Sequence, residues 1–329
     1  MRKLITIFII LSVSENLRSD VSDIYETLRN TTVRVNIWEN YDDDDDRTVY
    51  GRGSGIILNK VNETYFILTN AHVILEEYCY ITYISEYENC DDTFYDDSLT
   101  IVIDTADSRI EYAVYYEDII YWQDRDLAVI ALDVSAYTEE NKPNFKIIDV
   151  YGGIVEPLQS VYVSGFPLVS GSYGNYGSLF VDACVINSYV ADEEGMRELS
   201  TYEIYHSCSV AGGMSGGPLV NKKGKLIGVN GLVGLPYIEE GWFGHSHIDY
   251  DDQNFSYSVD IWQLYNGVIF GIPENFNSNS KFYNFLPRLE YDGSEELYDW
   301  LKDLVNTSDV NKNVMSQRID FVFKNNPNR

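Results

Sequence analysis

Short apolar runs separated by glycine, asparagine and aspartate dominate the chain between Thr31 and Val259, and few stretches show helical spacing. Seven of these runs are Thr32–Trp38, Gly55–Asn59, Tyr65–Leu68, Leu99–Asp104, Leu127–Leu132, Ser160–Ser164 and Leu226–Asn230. Many short strands with turn residues between them are typical of antiparallel β-barrels. The sequence therefore predicts an all-β fold built from such barrels.

The stretch Gly212–Pro218, Gly-Gly-Met-Ser-Gly-Gly-Pro, presents a serine among small residues. Small neighbours let a substrate carbonyl approach the backbone closely. The backbone N–H groups of Gly213 and Ser215 can point to one position, as an oxyanion hole requires. Taken alone, the stretch also fits a glycine-rich turn.

A serine nucleophile needs a histidine base that a carboxylate orients. His72 follows an apolar strand at the rim of a predicted core, and Asp126 directly precedes another apolar strand. Each also fits a structural role, as a half-buried histidine or a solvent-facing carboxylate. The other histidines are His206, His245 and His247, which we expect to be surface or strand residues. The order His72, Asp126, Ser215, with separations of 54 and 89 residues, favours a catalytic set.

Five segments appear in an order that resembles one family of enzymes: Gly53–Leu58, Leu68–Val73, Asp126–Val129, Gly213–Val220 and Gly224–Val229. The chain is similar to the chymotrypsin-fold, trypsin-like serine peptidases over roughly residues 30 to 265. Within that family it is most similar to the HtrA-like and glutamyl-endopeptidase-like branch.

The resemblance implies two antiparallel six-stranded barrels with the site in their cleft. It implies that His72 is the general base, Asp126 its orienting acid and Ser215 the nucleophile. Gly213 and Ser215 would supply the oxyanion-hole amides. It also implies protein or peptide substrates. No cofactor and no metal are expected.

Two features depart from the trypsin pattern. Met214 stands where trypsin-like zymogens place an aspartate that receives a new terminal ammonium. The oxyanion loop is therefore expected to become ordered without such an insertion. The resemblance places the specificity pocket at Ser209, Asn230 and Leu232, which carry no charge. An uncharged substrate side chain at the cleavage point is expected.

The predicted organisation has three parts. Residues 1–14 have the basic start, apolar stretch and small residues of a secretory signal peptide. Residues 15–265 form the peptidase domain, with the two barrels dividing near residues 141–151. Residues 266–329 form a C-terminal extension with one amphipathic helix from Ser294 to Val305 and no strand-rich run long enough for a PDZ domain.

The net charge of −29 repels phosphate, so nucleic-acid binding is not expected. No stretch after the leader is long and apolar enough to span a bilayer, and the expected product is a secreted monomer. The four sequons at Asn30, Asn62, Asn254 and Asn306 are compatible with glycosylation.

Four cysteines permit three pairings. In an oxidising compartment we expect the pairs Cys79–Cys90 and Cys184–Cys208, with four free thiols as the alternative. The second pair lies on two runs, Ser178–Val190 and Ser200–Ser209, that fit antiparallel strands. If Val190 faces Tyr202, the same register places Cys184 opposite Cys208.

The sequence thus predicts a secreted serine endopeptidase. The alternative is a catalytically silent binding protein on the same fold, or a triggered enzyme whose oxyanion hole is collapsed until activation. An adhesive surface protein that uses its acidic face is a third hypothesis.

Overall fold

The computed structural model describes residues 21–39, 48–75, 99–105, 110–153, 155–168, 178–189, 202–233, 256–270, 282, 285, 286, 289 and 290. Several predictions fall outside these residues: the signal peptide, the Cys79–Cys90 pair, His245, His247, the sequons at Asn254 and Asn306, and the helix at Ser294–Val305. Within the described residues, strands in two sheets form most of the structure.

Seven strands form the first sheet, in the order β5-β4-β1-β2-β3-β7-β6. They are β1 (Thr32–Glu39), β2 (Thr48–Val61), β3 (Thr64–Thr69), β4 (Leu99–Asp104), β5 (Tyr112–Val114), β6 (Ile119–Trp122) and β7 (Leu127–Asp133). All neighbours are antiparallel. Since no pairing between β5 and β6 occurs in the described part of the chain, the sheet forms an open half-barrel.

The second sheet contains a closed barrel of six strands, β12-β9-β10-β11-β14-β13, because β13 also pairs with β12. Its strands are β8 (Val150–Tyr151), β9 (Ser160–Gly165), β10 (Phe180–Tyr189), β11 (Ile204–His206), β12 (Pro218–Asn221), β13 (Leu226–Val233), β14 (Ser256–Asp260) and β15 (Leu289–Glu290). The short strands β8 and β15 extend the sheet in parallel beyond β13.

Three α-helices occur in the described part of the chain: α1 over residues 21–31, α2 (Ala71–Ile74) and α3 (Trp262–Phe270). The sequence did not predict α1, which buries Ile24 and Leu28 in an apolar cluster to which both sheets contribute. Phe282 and Phe285 join the same cluster. Two further clusters consist mainly of first-sheet and second-sheet residues respectively. Among the described helices, none is both long and apolar enough to cross a membrane.

The all-β, two-barrel prediction is confirmed, with an open seven-stranded first sheet in place of six strands. The Cys184–Cys208 pair is also confirmed, with a Cα–Cα distance of 4.9 Å. Ile186 faces His206, the register that places the two cysteines opposite each other. A register shift after Ile186 then changes the alignment, so Tyr189 faces Ile204.

Candidate active site

His72 lies on α2, directly after the end of β3. The other three residues of α2 are buried and fix this short helix to the core, whereas the His72 side chain is 35% exposed. The backbone N–H of His72 donates to Asp126 Oδ1 at 2.9 Å. Its Nδ1 lies 2.8 Å from Asp126 Oδ2. Both oxygens of the carboxylate therefore engage the histidine, which sets the ring orientation.

Asp126 occupies a left-handed backbone conformation, with φ at 47°, at the end of the 3₁₀ turn Gln123–Arg125. This conformation costs energy for residues other than glycine, and aspartate is among those that tolerate it best. Asn70 stabilises the turn, because its side-chain amide donates to the Asp126 carbonyl oxygen at 2.9 Å. The result is a carboxylate that points at α2 just before β7 begins.

A third donor to the Asp126 carboxylate comes from the segment that leads into the second sheet. The hydroxyl of Tyr202 donates to Asp126 Oδ2, the oxygen that also faces His72 Nδ1. Tyr202 lies two residues before β11 and is 8% exposed. This contact therefore joins the acid of the first sheet to the second sheet.

The backbone before Ser215 forms a type II turn. The Met214 N–H donates to the Ala211 carbonyl at 3.0 Å, and φ of Gly213 is +88°, the value of the third turn position. The Gly212 carbonyl accepts a hydrogen bond from the Leu168 N–H at 2.8 Å. Since the C=O and N–H of one trans peptide point in opposite directions, the Gly213 N–H points away from Leu168.

Ser215 itself lies in a second turn, closed by the Gly217 N–H and the Met214 carbonyl at 3.0 Å. Its hydroxyl donates to the Gly231 carbonyl at 3.0 Å. Gly216, with φ at +85°, follows it, and a Cβ there would lie 2.0 Å from the Ser54 carbonyl oxygen. Only glycine allows this close approach of the two sheets behind the nucleophile.

Ser54 of β2 binds this loop from the first sheet. Its backbone N–H donates to the Ser215 carbonyl at 2.7 Å, and its hydroxyl donates to the Gly213 carbonyl at 2.8 Å. The same hydroxyl accepts a hydrogen bond from the Phe166 N–H at 2.9 Å. The two residues that would supply the oxyanion-hole amides are thus held by one serine.

Met214, between those two residues, is fully buried among apolar residues of the second barrel. Its neighbours there include Val161, Val163 and Leu219. A thioether in this cluster offers no charge to an incoming ammonium group.

The predicted pocket residues differ in exposure. Ser209 and Leu232 are exposed, and the Ser209 N–H donates to Asp182 Oδ2 at 2.8 Å. Asn230 is completely buried, with its side-chain amide donating to the Ser164 carbonyl at 3.3 Å. The Asn230 side chain is therefore engaged in hydrogen bonds inside the barrel. The assignment of Ser209, Asn230 and Leu232 to the specificity pocket stays a prediction.

His206 is also completely buried, and burial lowers its pKa to about 4. Ser258 Oγ donates to Asn230 Oδ1 at 3.1 Å, so it accepts from His206 Nε2, 2.9 Å away. The ring is therefore neutral with its proton on Nε2. Its Nδ1 lies 3.9 Å from Cys184 Sγ. The side-chain ligand atoms of Cys184, His206 and Cys208 lie within 4.8 Å of one another. The two sulfurs form a disulfide, however, and are therefore not thiolate ligands for a metal.

Sequence reasoning predicts a catalytic set of His72, Asp126 and Ser215, and the structure brings His72 and Asp126 into direct contact. It missed Ser54, Asn70 and Tyr202, which support them. Ser54 and Asn70 lie inside the recognised segments, so their positions offered a signal. Tyr202 is 76 residues from Asp126 and lies in no recognised segment.

Residues 53–229 match the family model of the trypsin-like peptidase domain. The match spans more than half of the 329 residues. The chain therefore belongs to the trypsin-like peptidase family. A search of curated proteins finds no match.

Proposed function

We propose that the protein is a secreted serine endopeptidase that acts through a His72–Asp126–Ser215 triad and an acyl-enzyme. The observation that carries the proposal is the two-point contact between His72 and the Asp126 carboxylate, within a family of peptidases. Such a contact fixes the histidine tautomer, with the proton on Nδ1 and the lone pair on Nε2.

In the proposed reaction, Ser215 Oγ attacks the carbonyl carbon of the peptide, and His72 Nε2 accepts the hydroxyl proton. The bond to the leaving amine then breaks as His72 returns that proton to the nitrogen. Water attacks the acyl-enzyme by the same route and frees Ser215. Asp126 stabilises the imidazolium that forms in each step.

The type II turn at Gly213 supports an active form of the oxyanion loop. Its Gly212 carbonyl is bonded to Leu168, so the Gly213 N–H points the opposite way and remains a candidate donor to the oxyanion. A collapsed loop would need this peptide to rotate and break that bond.

The Ser215 hydroxyl favours a second candidate, an enzyme that requires a trigger. A hydroxyl has one proton, and Ser215 donates it to the Gly231 carbonyl. Attack requires the proton to move toward His72 instead. Substrate binding against Gly231, or a separate effector, would supply this change.

The test is labelling of the purified mature protein with a fluorophosphonate, which reacts with an activated serine. Ser215→Ala is the site variant, and Ser135→Ala, which changes an exposed serine after β7, is the matched control. Labelling lost in Ser215→Ala and retained in Ser135→Ala supports the active enzyme. No labelling of the wild type contradicts it and favours the triggered or silent form.

Secretion and the finer family position are part of the same proposal. The Cys184–Cys208 disulfide supports an oxidising compartment. N-terminal sequencing of the secreted protein is expected to give a sequence that begins at residue 15.

We also propose that the protein belongs to the HtrA-like and glutamyl-endopeptidase-like branch, with Ser209 and Leu232 near an uncharged specificity pocket. Profiling against a peptide library tests the pocket, since a strong preference for a charged residue would contradict it.

A further inference from the structure

We infer that Tyr202 is a positioning residue for Asp126, acting from the second sheet on the acid of the first. Asp126 Oδ2 accepts from the Tyr202 hydroxyl and lies beside His72 Nδ1, while Oδ1 accepts from the His72 backbone. A carboxylate turns about its Cβ–Cγ bond unless its oxygens are held. The phenol adds a donor that does not belong to α2.

The ring of Tyr202 is itself fixed by packing. It is 8% exposed and belongs to the apolar cluster shared by the two sheets. It lies so close to Gly231 that a Cβ there would be 2.0 Å from Tyr202 Cε1. The Gly231 carbonyl in turn accepts the Ser215 hydroxyl. Tyr202 therefore bonds Asp126 directly, and its ring packs against Gly231 of β13, which bonds the Ser215 hydroxyl.

A second chain of hydrogen bonds holds the residues adjacent to this pair. Arg125 Nη1 donates to Gln263 Oε1 at 2.5 Å, and Gln263 Nε2 donates to Glu203 Oε1 at 2.5 Å. Arg125 precedes Asp126, Glu203 follows Tyr202, and Gln263 lies on α3. Helix α3 thus ties together the two backbone segments that carry the carboxylate and the phenol.

The consequence for catalysis rests on the proposed function. Removing the phenol oxygen leaves Asp126 Oδ2 with fewer donors, so its negative charge beside His72 is less compensated by hydrogen bonds. The imidazolium becomes more stable, so the acidic limb of the pH profile of kcat/KM moves to higher pH. The carboxylate is also held less firmly, and kcat falls about tenfold while KM changes little.

The test compares Tyr202→Phe with Tyr112→Phe. Phenylalanine keeps the ring, so the packing against Gly231 is preserved. Tyr112 is a buried tyrosine of the first sheet whose hydroxyl donates to the Asn141 carbonyl at 3.0 Å, and it has no part in the site. Each variant is measured for kcat, KM and the pH profile, and its folding is checked by thermal melting.

A second measurement does not depend on turnover. Proton NMR detects the downfield Nδ1–H of His72, assigned through its loss in His72→Ala. We expect this resonance to shift or broaden in Tyr202→Phe and to stay unchanged in Tyr112→Phe. An unchanged resonance together with an unchanged pH profile in Tyr202→Phe overturns the inference. A shifted resonance in a protein that no fluorophosphonate labels leaves the inference standing and rejects the proposed function.

Discussion

Among single residues, Ser54 makes the most direct link between the two sheets at the site. Its hydroxyl bonds the Gly213 carbonyl and the Phe166 N–H, and its backbone bonds Ser215. It is completely buried, so water cannot replace these partners. The orientation of the loop before Ser215 therefore depends on one hydroxyl group from β2.

Ser54→Ala removes that hydroxyl and leaves two buried backbone groups without their partner. We expect the free energy of unfolding to fall by about 1–3 kcal/mol. We also expect kcat to fall about tenfold, because the Gly213 peptide is held less firmly. Urea unfolding and steady-state kinetics measure the two effects, with Ser135→Ala as the control. A stability loss with unchanged kcat would show that Ser54 does not orient the loop.

The sequence predicts the residues of the candidate triad better than it predicts the residues that hold them by hydrogen bonds. His72 follows one apolar run and Asp126 directly precedes another, and such positions can be recognised without a structure. Tyr202 lies in the run Ser200–Ser209 that predicts a strand, but its contact with Asp126 depends on how the two sheets pack. Asn230 shows a different limit, because the resemblance places it at the specificity pocket but does not reveal that its side chain is buried.

At the scale of elements, the local sequence pattern predicts strands well, and it predicts helices with few buried apolar residues poorly. Strand β4 begins and ends at the predicted residues, Leu99 and Asp104. Helix α1 was missed because it buries only Ile24, Leu28 and Thr31 among mostly polar neighbours. Their spacing of four and three residues fits one helix face, but the apolar signal is weak.

The disulfide is the covalent tie between elements of the second barrel. It joins Cys184 of β10 to Cys208, which follows β11 and is 24 residues farther along the chain. Replacing both cysteines with alanine is expected to lower the free energy of unfolding by about 3 kcal/mol. Urea unfolding of the double variant measures the loss. Reduction of the wild type with dithiothreitol should lower stability at least as much, because it also breaks the predicted Cys79–Cys90 bond, and full stability after reduction would contradict the prediction.

At the scale of the whole molecule, the two sheets pack around one shared cluster. Phe66 and Val129 of the first sheet meet Val229 and Val259 of the second in that cluster. The resemblance of five short segments was enough to predict two barrels. It did not predict the added strands β8 and β15, because these depend on distant pairings: Val150 lies beside both Leu226 and Leu289.

The two sheets also carry buried groups whose titrations oppose each other. Burial raises the pKa of Asp104, on β4, from 3.8 to about 6. Burial lowers the pKa of His206, on β11, from 6.5 to about 4. Between pH 4 and 6.5 the unfolded chain binds the His206 proton more tightly, so this group makes stability rise with pH. Between pH 3.8 and 6 the folded chain binds the Asp104 proton more tightly, so stability falls with pH.

Two variants separate these contributions. His206→Gln keeps a donor for Ser258, and Asp104→Asn keeps an acceptor for Arg34, which bonds it at 3.1 Å. The free energy of unfolding of the wild type minus that of His206→Gln is expected to rise by about 3 kcal/mol from pH 4 to 6.5. The corresponding difference for Asp104→Asn is expected to fall by about 2 kcal/mol from pH 4 to 6. Urea unfolding across this range measures both. Parallel curves of unfolding free energy against pH for wild type and variant would contradict the assigned pKa of that residue. In the wild type, the contributions of the two groups to the pH dependence of stability are expected nearly to cancel.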